Sequence, residues 1–219
     1  MKNNNNLKTD VFKSFLIEDS YLGNKYEMPF IYPTFFRPEK AIPFDKITKS
    51  KDFNQWVHFY IHDRKFECFW KNPHQYLKSL QKFEGVITPD FSVYTNMPKP
   101  MKIWNIYRNR ALSVWLQKNN VNIIPNISWS TPDSYDYCFD GISIGSTIAV
   151  STNGCIKDKI DREIFKDGLK ELCIRLKPKT IINYSYAPKD IWDDYIDKYD
   201  IIFIENYHQT VRKGEASNR

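Results

Sequence analysis

The chain has 219 residues, a net charge of +6 and an isoelectric point near 9.0. A hydrophobic fraction of 42%, with 16% aromatics, is enough for a packed core and excludes global disorder. Glycine is scarce at 7 residues, and neither GxGxxG nor the GxxxxGK pattern of phosphate loops occurs, which excludes the two common Gly-rich phosphate cradles.

Residues 1–10 (MKNNNNLKTD) read as a disordered lead-in without the apolar stretch of a signal peptide. Residues 11–50 carry Pro29, Pro33, Pro38 and Pro43 among aromatics and show no regular period. Residues 1–50 are therefore expected to form an extended arm packed on a single domain of residues 51–212, with 213–219 a disordered tail. From Trp56 onward strands and helices alternate. Strands are predicted over 56–61, 85–88, 121–127, 147–150, 181–183 and 201–204. Helices are predicted over 72–83, 98–118, 162–176 (capped by Asp161) and 190–199, with a short turn at 135–139. About six βα steps imply an α/β fold with a mostly parallel sheet, either an irregular or incomplete βα barrel or a doubly wound open sheet. A full eight-unit barrel takes about 250 residues, more than this chain has.

In such folds the carboxyl ends of the strands carry the chemistry. Pro89 should end its strand, placing Asp90 as a candidate general base or metal ligand and Ser92 as a phosphate or substrate contact. The competing structural reading pairs Asp90 with a buried arginine and has Ser92 cap a turn. Arg108 shares the apolar face of helix 98–118 with Trp104, Ala111, Leu112 and Trp115, so it needs a carboxylate or an anion, and Asp90 is the expected partner. Arg110 lies on the neighbouring face, and two arginines near strand ends would clamp a phosphate. Asn126, Ser128 and Trp129 follow an apolar run, with Trp129 either stacking a base or sugar or plugging the core. Ser151, Thr152, Asn153 and Gly154 form a turn suited to presenting N–H groups to an anion. Tyr184, Ser185, Glu205, Asn206, Tyr207 and His208 complete a polar rim.

His58 and His62, four apart on a strand beside Asp63, make a divalent metal conceivable. Two histidines without a third ligand are more often packed residues, so no metal and no other cofactor is expected. No GxSxG elbow occurs. Cys68, Cys138, Cys155 and Cys173 are widely spaced without CxxC, which fits reduced thiols in the cytoplasm, and no stretch has the length of a membrane span.

Residues 52–205 resemble DUF4417, a bacterial and phage domain of unknown function. The resemblance is carried by VHFYIHDRKFECFW (57–70), TPDFSVYTNMP (88–98), IWNIYRNRALSVWLQ (103–117), IIPNISW (123–129), CFDGI (138–142) and STNG (151–154). It implies a phage or mobile-element setting and brings no activity, cofactor or site residue. Where the family has an acidic pair after the first strand, this chain has His62 and Asp63. The basic charge favours an anionic ligand, a nucleotide or nucleic acid, bound or processed at the strand ends, although a lysine-rich solvated surface accounts for it equally well. The alternatives are a non-catalytic effector that inhibits a host protein through its aromatic arm, and a sequence-tolerant DNA- or RNA-binding accessory protein.

Overall fold

The computed structural model describes residues 10–23, 25–207 and 209–210. The lead-in at 1–9, the tail at 213–219 and His208 lie outside the described residues.

Among the described residues, seven short strands run parallel in chain order: β1 (Ala41–Pro43), β2 (Trp56–His58), β3 (Gly85–Ile87), β4 (Ile123–Ile124), β5 (Thr147–Ser151), β6 (Thr180–Tyr184) and β7 (Asp200–Ile204). Ladders join β1 through β4 and β5 through β7. The two sheets meet where Ile127 N–H donates to the Ala149 carbonyl at 2.8 Å and Ala149 N–H to the Pro125 carbonyl at 2.9 Å. The order never reverses, so the sheet is wound in one direction, as in a βα barrel, and lacks the reversal that defines a doubly wound sheet.

Side-chain alternation within these strands builds two cores. Trp56, Ile87, Ile124, Ala149, Ile182 and Ile204 point inward and pack with Ala41, Tyr60 and Tyr184 as one cluster. Val57, Val86, Ile123, Ile148, Val150 and Ile181 point outward under the helices. Strands covered on both faces read as continuous apolar runs, which is why they stand out in the sequence. Gly85 pairs with Trp56 on the neighbouring strand and lies against its ring, where any Cβ would fall 2.5 Å from it, so this position needs a residue with no side chain.

The helices are α1 (Glu67–Lys71), α2 (Pro73–Leu80), α3 (Lys99–Lys118), α4 (Tyr135–Cys138), α5 (Lys159–Leu176) and α6 (Lys189–Ile196). The cap of α5 is Asp158, whose side chain accepts from Asp161 N–H at 2.9 Å, so the helix begins one turn before the expected Asp161 cap. Among the described residues no helix is long and apolar enough to cross a membrane.

The segment read as an arm holds β1, which pairs with β2 through Ala41 and Trp56. A three-residue strand ending in proline has no readable period, and proline is tolerated there because β1 is an edge strand. Upstream of it, Thr34 crosses to β5: its N–H donates to Ser146 Oγ at 3.0 Å and its carbonyl accepts from Thr147 N–H at 2.7 Å. Arg37 forms an ion pair with Asp200 at the start of β7, drawing the two edges of the sheet together.

Candidate functional site

The loops after β2, β3, β4 and β5, with the first turns of α5, enclose a cleft of about 730 Å³. This volume suits a small-molecule site, and the position is the one where βα folds carry their chemistry.

The loop after β3 is held from several sides. Thr88 Oγ1 accepts from Asn126 N–H at 2.9 Å, and Pro89 ends the ladder. Asn109 of α3 grips residue 91 by both polar groups: its Oδ1 accepts from Phe91 N–H at 2.9 Å and its Nδ2 donates to the Phe91 carbonyl at 3.4 Å. One turn earlier, Asn105 Nδ2 donates to the Ser92 carbonyl at 2.6 Å. Ser92 donates through N–H and Oγ to the Asp63 carboxylate at 3.1 and 2.8 Å. The working pair of the YRNR helix is thus Asn105 and Asn109, spaced i, i+4 on one face.

Asp90 stands on this clamped loop, partly buried and lining the cleft. Its Oδ1 accepts from Asn126 Nδ2 at 2.8 Å. Burial pushes its carboxyl up to about 6; the Asn126 amide opposes the rise and the charge of Asp63 adds to it. A carboxyl poised near neutrality in a cleft is suited to proton transfer or to switching between donor and acceptor.

The expected arginine clamp is not formed. Arg108 lies on the outer face of the barrel, where Nη1 donates to Glu67 Oε2 at 2.9 Å, Nη2 donates to Asn105 Oδ1 at 2.6 Å and the guanidinium covers the Phe91 ring at 3.6 Å. Glu67 on α1 satisfies the need for a carboxylate that the sequence assigned to Asp90. Arg110 is fully buried and donates to the carbonyls of Asp140, Asn126 and Cys138 at 3.1, 3.3 and 2.5 Å, tying the β4 loop to the end of α4. Neither arginine lines the cleft, and none of the described lining residues is a lysine or an arginine. Its ionisable lining groups include Asp90, Asp161 and His62.

Trp129 lines the cleft while its indole N–H donates to the Ile164 carbonyl at 3.1 Å and its ring packs 5.2 Å from Phe165. In the turn after β5, three amides are bonded within the protein: Thr152 N–H to the Tyr184 carbonyl at 3.3 Å, Asn153 N–H to Ser151 Oγ at 3.0 Å, and Cys155 N–H to the Thr152 carbonyl at 3.3 Å. Ser151 and Asn153 line the cleft, and Asn153 Nδ2 reaches the Tyr60 carbonyl at 3.3 Å. Thr152 is buried, donating to the Tyr186 carbonyl. Tyr184 lies in the barrel interior, stacked on Tyr60 at 5.1 Å, with its hydroxyl accepting from Tyr207 N–H at 3.1 Å.

The two histidines separate. His58 is buried in the interior against Tyr184, while the chain bends after β2 and leaves His62 exposed on the cleft lip. Among the described residues no group of three or more His, Cys, Asp or Glu is arranged to hold a metal ion.

The family model described as "Domain of unknown function (DUF4417)" matches residues 21–207. The chain belongs to this family. The chain is also similar to the "Gene 1 protein" of Mycobacterium phage L5, 37% identical over 167 residues that make up 74% of this chain and 72% of the phage protein. The "Gene 1 protein" of Mycobacterium phage D29 is 33% identical over 167 residues, again 74% of this chain but 62% of that protein, less than two-thirds of its length. No solved structure matches the chain. The matched span contains all seven strands and every group that lines the DUF4417 cleft.

Sequence reasoning reached Asp90, Ser92, Asn126, Ser128, Trp129, Ser151 and Asn153, but it passed over the roles of Tyr60, Asn105, Asn109 and Asp161 around the cleft. The i, i+4 asparagines inside an otherwise apolar helix were the readable signal for the clamp. Tyr60 carried none, since an aromatic in a strand reads as core.

Proposed function

We propose that the chain is a phage or mobile-element protein that binds a small polar ligand in the cleft over β2–β5, with Asp90 as the group that bonds to it and exchanges a proton with it. The observation that carries this reading is the Asp90 carboxyl, raised to about 6 on a rigidly clamped loop inside a cleft of about 730 Å³. The phage origin of the two relatives supports the setting. For a nucleotide or another phosphate-containing ligand, the absence of lysine and arginine from the described lining favours the base or sugar end in the cleft over the phosphate.

Ligand-detected NMR with nucleosides, nucleotides, sugars and inorganic phosphate tests this. Binding of an uncharged probe, lost in Asp90→Asn while the fold is retained, is the expected result. Binding of inorganic phosphate alone, or probe binding indifferent to Asp90→Asn, overturns it.

A further inference from the structure

Tyr60 emerges from the barrel interior at the floor of the cleft, its ring flat against Tyr184 with 22° between the planes. The residue is 5% exposed, and its hydroxyl has no hydrogen-bond partner among the described residues. A buried phenol without a partner costs stability, and such a group at the wall of a cavity points to a ligand atom that completes it. Ser128 Oγ, a second buried hydroxyl on this wall, faces the Asp90 carboxylate and stabilises its charge. Asp90 Oδ1 accepts from Asn126, and a carboxylate oxygen can accept a second bond, so Oδ2 has capacity for a ligand N–H. Burial, followed by the charge of Asp90, holds the Tyr60 phenol well above its usual range, so it stays a donor.

The floor therefore offers one fixed donor, Tyr60 Oη–H, beside one carboxylate acceptor, Asp90 Oδ2. The walls combine apolar side chains, Ile127, Trp129 and Phe165 among them, with polar ones, of which Ser92, Asn126, Ser151 and Asn153 are already bonded within the protein. A sugar presents hydroxyls on every edge and needs polar partners on several sides, whereas a flat heterocycle with one polar edge needs only the floor.

Resting on the proposed cleft function, we infer that the cleft recognises the lactam edge of a nucleobase: a ring carbonyl accepting from Tyr60 Oη and the adjacent ring N–H donating to Asp90 Oδ2. Uracil-, hypoxanthine- and guanine-type rings carry that adjacent C=O and N–H pair, and cytosine- and adenine-type rings do not.

Calorimetric titration of the full chain with uridine, inosine, guanosine, cytidine and 3-methyluridine tests this, with Tyr60→Phe and Asp90→Asn alongside wild type. The expected result is binding of at least one of the three lactam nucleosides, at least tenfold weaker binding of its N-blocked or lactam-free counterpart, and about tenfold loss in Tyr60→Phe with no loss of thermal stability. Equal binding of uridine and 3-methyluridine, or unchanged lactam binding in Tyr60→Phe, overturns the inference. Failure of all three lactam nucleosides at millimolar concentration also overturns it. If another uncharged probe then binds in an Asp90-dependent way, only the lactam assignment falls and the cleft function stands.

Discussion

Asp90→Asn is expected to stabilise the protein at neutral pH. In the folded chain the Asp90 carboxyl has its pKa near 6, against 3.8 for the free group. At about 1.4 kcal/mol per tenfold change, that difference sets a ceiling of about 3 kcal/mol of destabilisation once the carboxylate is ionised. Because Asp90 is partly open to the cleft, about 1–3 kcal/mol is expected. The sign follows from proton counting. Between pH 3.8 and about 6 the unfolded chain has released this proton and the folded chain still holds it. Stability therefore falls as pH rises through this window, and the full penalty is present above it. Asparagine is nearly isosteric, keeps an oxygen for the Asn126 amide and cannot ionise. Urea unfolding of wild type and variant at pH 4, 5, 6 and 7.5 isolates the effect, since other titrating groups are common to both proteins. The variant's advantage should be near zero at pH 4 and reach its plateau by pH 7.5. An advantage that does not change with pH, or a variant less stable than wild type at pH 7.5, refutes the argument that Asp90 is held ionised against its environment.

Tyr60→Phe removes a buried hydroxyl that has no partner among the described residues, so the unliganded protein should gain about 1 kcal/mol, read as a raised Tm. Arg110→Leu leaves the carbonyls of Asn126, Cys138 and Asp140 without their donor and should cost about 3 kcal/mol or more in chemical unfolding. Gly168→Ala places a Cβ 1.9 Å from Trp129 Nε1, so α5 or the indole must shift; about 1–3 kcal/mol of stability should be lost, with a change in Trp fluorescence. Glu67→Gln breaks the ion pair to Arg108 on the outer face of the barrel, so it should lower stability by about 1 kcal/mol and leave binding of any cleft ligand unchanged in calorimetry.

The strand and helix pattern from β2 onward was legible because it depends on local burial. Apolar runs such as residues 85–88 and 147–150 are covered on both faces, and a helix such as Lys99–Lys118 announces itself by length and by a proline at its first turn. The placement of Asp90 at a strand end was legible for the same reason: Pro89 cannot continue a ladder. β1 was not legible, since three residues carry no measurable period and its existence depends on pairing with β2.

The side-chain partners were decided by tertiary structure alone. By helical spacing both Arg108 and Arg110 were equally able to meet an anion. The fold gave the first to Glu67, 41 residues away, and surrounded the second with carbonyls from two later segments. A stripe of residues on one helix specifies which side is buried, but the groups it meets come from loops distant in sequence, and a charged side chain is satisfied by whichever of them the closed chain brings within hydrogen-bond reach. The cleft's lack of arginine and lysine among its described residues, and the unpartnered Tyr60 hydroxyl on its floor, arise in the same way. Residue types and their periods determined the βα architecture and where its strands end; the packing of distant segments against one another determined which polar groups were used up inside the protein and which were left facing a ligand.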